Sequence, residues 1–345
     1  MIELDGCHGE GGGQLVRTAV ALAALTGKPL LLSNVRANRD KPGLAAQHLA
    51  AVRAVASLCD ARCDGLVLGS RSFSFSPRCK SSGGELRVDV GTAGSVTLVL
   101  QALLPVLLAA GGPSRTVVTG GTDVRQAPSW DYFCEVLLFL LGRMRVRVRA
   151  SLARRGYYPR GGGEVTLEVQ PGALAPLGLT EPPAAWRICG EAHVANLPVS
   201  IAERMREAAR AALARESFIR ARVLAREEAA GTGGAITVWA ASDAARIGAC
   251  RVAQRGVRAE ALGEAVGHEL AADLASGATL DTHAADQILI YLALAEGDSS
   301  FSVREVTSHA RTAMWLISQF LAVRYVIEAP GDVSLITVLP PVLSH

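Results

Sequence analysis

The chain has 345 residues, 50% of them hydrophobic and 19% charged, with a formal net charge of +3. Such a length points to one large domain plus a smaller one, and so apolar a composition excludes a disordered chain. With no run of roughly 18 uncharged apolar residues and no basic-then-apolar leader in MIELDGCHGE, a membrane span is excluded and a soluble, cytoplasmic protein is expected. The 7 cysteines are scattered without paired C-x-x-C knuckles, which fits free thiols in a reducing compartment and argues against structural zinc. Lysine occurs only at Lys28, Lys41 and Lys80, and none lies in a G-x-x-x-x-G-K-[ST] loop or a K-x-D-G segment. Nucleotide chemistry on this chain therefore needs a nucleophile other than lysine.

The first unit begins with DGCHGEGGGQ, residues 5 to 14. Gln14 stands where a dinucleotide fingerprint needs its third glycine, so that match fails. The free N–H groups before the helix suit an anion and Glu10 suits a divalent cation, whereas a tight turn with a solvated glutamate is the plainer reading. A helix and β-rich text follow to about Val35, then NVRANRDKPGLAAQHLAAV, which gathers Arg17, Arg36, Arg39, Lys41, Gln47 and His48 at one helix entry. Guanidinium forks beside free helix N–H groups suit phosphate; a solvated charged loop is the alternative.

The second unit runs from Gly91 through GTAGSVTLVLQALLP to the helix SWDYFCEVLLFLLGRM and the strand VRVRA. Its end, RGYYPRGGGEV at residues 155 to 165, combines aromatic faces with glycines that permit close approach. A base-stacking surface and a packed hairpin are both compatible with that composition. The proline-rich stretch 171 to 183 then reads as a boundary, and residues 184 to 278 as an inserted small α/β domain of strand, helix, strand, helix.

The third unit opens at His283 with HAADQILIYLALAEG and continues to VTSHARTAM. Thr307 and Ser308 are both suited to N-capping, which places His309 in the first turn of a helix. The positive end of the helix dipole disfavours imidazolium there and leaves a neutral ring able to attack; a capping or packing histidine is the alternative. All three units read as β-α-β-α-β with a glycine near the first helix end, where a left-handed cap is expected.

Together these segments carry a resemblance. RGYYPRGGGEV fits the R-G-x-x-P-x-G-G-G-x-[LIV] signature of the RNA 3′-terminal phosphate cyclase family. The chain is also similar to that family in GEGGGQ, RANRDKPGLAAQHL, GTAGSVTLVLQALLP, GGTDVRQAPSWDY and ADQILIYLALA, in that order. The resemblance implies an α/β (α+β) fold: a large domain of β-α-β-α-β-β repeats similar to enolpyruvyl transferase domains, formed by residues 1–183 and 279–345, with a thioredoxin-like insert at 184–278. It implies an ATP-dependent ligase, assisted by Mg2+ or Mn2+, that converts an RNA 3′-phosphate into a 2′,3′-cyclic phosphodiester. His309 is then the nucleophile that takes AMP, and the AMP passes to the RNA end before the 2′-hydroxyl displaces it.

By the same resemblance Gln101, Pro128 and the run His283, Ala284, Ala285, Asp286 and Gln287 belong to the ATP site. Glu10 is the cation ligand, and Arg17, Arg36, Arg39 and Gln47 cradle phosphates of ATP or the RNA end. Glu10 and His309 are expected to be neighbours. His283 departs from the tyrosine common in the family, and His8 from its usual glutamine. RGYYPRGGGEV itself is expected to be a glycine turn near the site, with Arg155 or Arg160 touching RNA. Two alternatives stand beside the cyclase: a non-catalytic relative acting in ribosome assembly, which would lack His309, and an enolpyruvyl transferase, which would need a second full repeat domain. The sequence is silent on oligomeric state.

Overall fold

β1 (Ile2–Asp5) runs into the glycine-rich turn, α1 (Gly13–Thr26) follows, and β2 (Leu30–Ser33) lies parallel to β1. Gly27, with φ of 69°, ends α1 in the left-handed conformation that favours glycine. α2 (Ala46–Leu58) leads to β3 (Arg62–Asp64) and β4 (Phe73–Ser76), giving the sheet order β1-β2-β4-β3. The structure is a computed structural model describing residues 1–329 and 331–341.

The second unit repeats these connections. β5 (Gly84–Asp89), α3 (Val96–Leu108) and β6 (Ser114–Gly120) are followed by a helix in three pieces: α4 (Trp130–Tyr132), a π-helical stretch Phe133–Leu138, and α5 (Phe139–Arg143). β7 (Arg147–Arg154) and β8 (Gly163–Gln170) complete the order β5-β6-β8-β7. α3 is buried almost all round, as its unbroken apolar text requires, and Gln101 is one of its few polar residues.

β9 (Gly178–Leu179) lies inside the proline-rich stretch read as a boundary. After it come β10 (Arg187–Ala195), α6 (Val199–Leu213), β11 (Ser217–Val223), β12 (Gly233–Ala241), β13 (Arg246–Val252) and α7 (Ala259–Ser276). α8 (Thr282–Ala293), β14 (Ser299–Val303), α9 (Ser308–Phe320), β15 (Arg324–Glu328) and β16 (Ser334–Leu339) follow, and β9 pairs with β14 in the order β15-β16-β14-β9. The chain is a mixed α/β protein. The segment carrying β10 to α7 has its own sheet, β11-β10-β12-β13, and a core separate from the main one, including Met205, Val238, Ile247 and Leu270. α6 and α7 approach closely at Gly267, where a Cβ would sit 2.6 Å from Ala212 Cβ.

Two local expectations are corrected. α3 ends at Ala109 (φ −92°) and α8 at Leu294 (φ −100°), so neither has a glycine cap; the glycines lie further along, in the turns that re-enter the sheets. The inserted segment holds two strands beyond those read from its text, β11 and β13. Arginine-rich SFIRARV and RIGACRV lack the apolar density of a recognisable strand because each lies at an edge of its sheet.

RGYYPRGGGEV forms part of the joint between the second unit and the inserted segment. The Arg155 backbone N–H donates to Glu228 (2.7 Å), and Ala230 N–H donates to the Arg155 carbonyl (2.8 Å). The guanidinium is buried: Nη1 donates to Asp123 (3.1 Å) and Nη2 to both oxygens of Asp131 (2.7 and 2.9 Å). Tyr157 packs against Ala195, Leu224 and Ala229, while Tyr158 is 80% exposed. Gly161 (φ 65°) passes over Thr92, whose carbonyl a Cβ would meet at 2.8 Å. The expected contact of Arg155 with RNA is thereby overturned, since its charge is enclosed between two carboxylates; Arg160 is exposed but lies outside the cleft described below.

Candidate active site

A cleft of about 720 Å³ opens where the first helices of the three units meet the edge of the inserted segment. Glu10, Arg17, Arg36, Arg39, Gln47, Gln101, Pro128, His283, Asp286, Gln287 and His309 all line it. Ala284 and Ala285 do not: both are buried on the core side of α8, Ala285 being turned away from His283 and Gln287 by the helical repeat.

One wall is cationic. Arg17, on the first turns of α1, is buried, and burial followed by the nearby charge of Arg36 pulls its pKa down to about 10. Among the described residues it forms no ion pair with a carboxylate. Arg36 (φ 54°) is held by its own loop, its Nη1 donating to the carbonyls of Lys41 (3.0 Å) and Gly43 (2.7 Å). His48 is buried beside them with Nδ1 unpartnered among the described residues, and burial plus Arg17, Arg36 and Arg39 push its pKa down to about 3, so the ring is neutral. A side chain at Gly13 would collide with the His48 ring, which is why α1 can begin so close to it. Gln47 braces the wall from across the units, its Oε1 accepting from Ser95 N–H at 3.0 Å. Arg17, a buried cation without an ion-pair partner among the described residues, makes with the half-buried Arg36 a ready cradle for phosphate.

His309 stands at the start of α9. Thr307 is the N-cap, accepting from Ala310 N–H at 2.9 Å. The imidazole Nδ1 lies 2.9 Å from Gln14 Oε1 and 3.8 Å from Glu10 Oε2. An amide oxygen only accepts, so Nδ1 carries the proton and the Nε2 lone pair is left free. Burial, then Arg39, His283 and Arg17, lower the His309 pKa; neighbouring cations thus join burial in keeping the ring neutral, where the helix dipole alone was expected to act. Glu10 pairs with Arg39, and its backbone N–H donates to Thr312 on α9 (3.1 Å), tying the glycine turn to the helix that carries His309.

The far wall is polar. Gln101 Nε2 donates to Gln287 Oε1 (2.6 Å), and Thr97 donates to the Pro128 carbonyl (2.8 Å). Asp286 accepts from Thr307 (2.5 Å), and burial raises its pKa to about 6. His283 Nε2 lies 3.1 Å from Glu269 Oε1, a partner on α7. Cys250, Arg251, Val252 and Gln254, all on or just after β13, close this side.

The model of the family described as RNA 3′-terminal phosphate cyclase matches residues 8–327. The chain belongs to the RNA 3′-terminal phosphate cyclase family. A protein of Nitrosospira multiformis named RNA 3′-terminal phosphate cyclase is 50% identical over 328 residues, which cover 94% of this chain and 93% of the relative. Proteins of the same name from Pyrobaculum neutrophilum and Methanopyrus kandleri are 42% and 43% identical, with 96% and 99% of both chains covered. This is a family of enzymes, and the resemblance carried by the glycine signature and the five other motifs is the right one.

In this cyclase-family cleft sequence reasoning missed Gln14 and Arg251, and behind it Glu269, and counted His48 only as part of a basic cluster. Gln14 was visible as the residue that breaks the dinucleotide fingerprint, a departure that marks a side chain with another task. Arg251 and Glu269 carried no comparable mark, since an arginine on an edge strand and a glutamate on an amphipathic helix are ordinary surface residues. No helix among the described residues is long and apolar enough to cross a membrane.

Proposed function

We propose that the protein is an ATP-dependent RNA 3′-terminal phosphate cyclase acting through a covalent histidine–AMP intermediate. The observation that carries this reading is His309 Nε2, unpartnered among the described residues, in one cleft with the buried Arg17, which has no carboxylate partner there, and with Arg36 and Arg39 beside it. His309 Nε2 attacks the α-phosphorus of ATP, a nitrogen–phosphorus bond forms as the bond to pyrophosphate breaks, and Arg17, Arg36 and Arg39 hold the departing charge. Gln14 keeps the Nδ1 proton in place, so the ring enters the step as a neutral nucleophile aimed by a hydrogen bond. The RNA 3′-phosphate then takes the AMP from His309, and the adjacent 2′-oxygen displaces AMP to close the five-membered cyclic diester. That last step draws on proximity, because nucleophile and phosphorus already share one ribose.

Gln101, Pro128, His283, Asp286 and Gln287 form the base and ribose side of the site. Glu10 offers a carboxylate beside the phosphate cradle, which fits a Mg2+ or Mn2+ held by one protein carboxylate plus phosphate oxygens. Bound there, the ion would offset charge where two phosphates meet. The fold reading that accompanies this function is a large domain of three β-α-β-α-β-β repeats, residues 1–183 and 279–345, of the kind found in enolpyruvyl transferases, with a thioredoxin-like insert at 184–278. It is supported by the equivalent strand orders of three sheets and the separate core of the fourth. A cytoplasmic setting accords with 7 free cysteines.

Incubation with ATP labelled at the α-phosphate and Mg2+ or Mn2+ is expected to give acid-labile label on the wild type and none on His309→Ala. Label that survives the substitution removes His309 from this role. No label on the wild type with any nucleotide favours the non-catalytic, RNA-binding alternative.

A further inference from the structure

The base-side wall contains an ion pair that neither the family motifs nor the proposed reaction requires. His283 occupies the first turn of α8, 51% exposed to the cleft, and its Nε2 is tied to Glu269 Oε1 at 3.1 Å. Glu269 is largely buried and is itself immobilised by Arg251, whose Nη2 lies 2.5 Å from Oε2 and whose Nη1 donates to the Cys250 carbonyl (2.8 Å). Two cations that line the cleft therefore share one carboxylate that does not line it.

The relative position of these groups is also fixed. Asp281, buried at the N-cap of α8, accepts from the N–H groups of His283 (3.0 Å) and Ala284 (2.9 Å), from Tyr132 Oη (2.5 Å) and from Gly248 N–H (2.9 Å) on β13. One carboxylate thus pins the inserted segment to the turn that carries His283. With its Nε2 edge held by Glu269, the side chain still lines the cleft with about half of its surface open.

We propose that Glu269 of the inserted segment is a positioning residue that holds His283 as an imidazolium against the nucleobase, so that the base stacks on a cation where the family commonly presents a neutral tyrosine. The proposal rests on reading the cleft as a nucleotide site. It gives the inserted segment a part in that site, through Glu269 and Arg251. A cation over an aromatic face favours binding by about three- to tenfold when partly desolvated.

The groups that face His283 are Glu269 on α7, Arg251 on β13 behind it, Asp281 and Asp286 at and on α8, and His309 on α9. The Glu269 hydrogen bond is the main cause that raises the His283 pKa to about 9, and Asp281 and Asp286 add to it. The extra affinity is therefore full at neutral pH and lost as pH rises through about 9.

The test measures the dissociation constant of α,β-methylene-ATP with Mg2+ from pH 7.5 to 10 for the full chain, alongside NMR titration of 15N-labelled histidine rings. Wild type is expected to weaken several-fold with a midpoint near 9. Glu269→Gln moves both the binding step and the ring titration to lower pH, and His283→Tyr binds without the step. The lowered pKa of Arg17, about 10, is a background common to the three proteins, so the comparison between variants decides. Identical profiles in all three proteins, or a His283 ring that titrates near 6.5 in the wild type, overturn the proposal. Absence of binding by the wild type at any pH removes the nucleotide reading itself, and this proposal with it; binding with a flat profile removes only the clamp.

Discussion

Arg17 and Arg155 are both buried, at 8% and 5% exposure, and they do opposite things with the same charge. Arg155 is enclosed by Asp123 and Asp131, and although burial opposes its charge, those carboxylates raise its pKa above the ordinary arginine value. Arg17 faces a cleft with Arg36 for company and no carboxylate partner among the described residues, and its pKa falls to about 10. A buried cation that has its anion is structure, whereas one that lacks it is a binding site waiting for an anion. Two buried histidines are neutral in both settings, burial being the first cause in each. His48 is neutral among cations in the cleft, and His193 is neutral in the joint, where burial lowers its pKa to about 4 against the opposing pull of Asp123 and Asp131.

Exchanging the arginines one at a time is the strongest challenge to this contrast. Arg155→Met leaves Asp123 and Asp131 without their cation and is expected to cost about 3–5 kcal/mol in denaturant unfolding; a loss under about 1 kcal/mol would show that the joint does not depend on the pair. Arg17→Met is expected to leave unfolding unchanged or to stabilise slightly, while weakening nucleotide binding by about 10- to 100-fold, the worth of one hydrogen bond to a charged group. Equal losses of stability in the two variants would erase the distinction. The smallest effect is acid sensitivity. Rings with folded pKa values of about 3 and about 4 take no proton between pH 6.5 and 5.5, while the unfolded rings do. Stability from His48 and His193 is thus present above the unfolded pKa and is lost as pH falls, by about 1 kcal/mol each over that interval. His48→Gln and His193→Gln should each remove one such share from the pH dependence of unfolding; an unchanged dependence would show that the rings are protonated in the folded protein.

Much of the site was legible because short-range chemistry announces it. Thr307 before a helix, glycines before α1, and arginines at a helix entry each have a local physical reason that a string of residues displays. The parts that stayed hidden depend on partners far along the chain. β9 has only two residues, too few for any alternation, and is a strand because β14 lies beside it. Ala284 and Ala285 share a motif with Asp286 and Gln287, yet helix geometry turns them to the core. Glu269 matters because the fold carries it 3.1 Å from His283.

The sequence by itself determined the family, the helical units with the Gly27 cap of α1 and the Thr307 cap of α9, the candidate nucleophile at His309 and the basic cluster near it, since glycine, capping and charge patterns act over a few residues. Tertiary structure alone decided which charges are paired. RGYYPRGGGEV bears the family signature, but whether Arg155 met RNA or protein depended on Asp123 and Asp131, whose distance along the chain says nothing of their distance in space. Arg17 kept its charge open for the complementary reason: the fold brought it other cations and withheld a carboxylate.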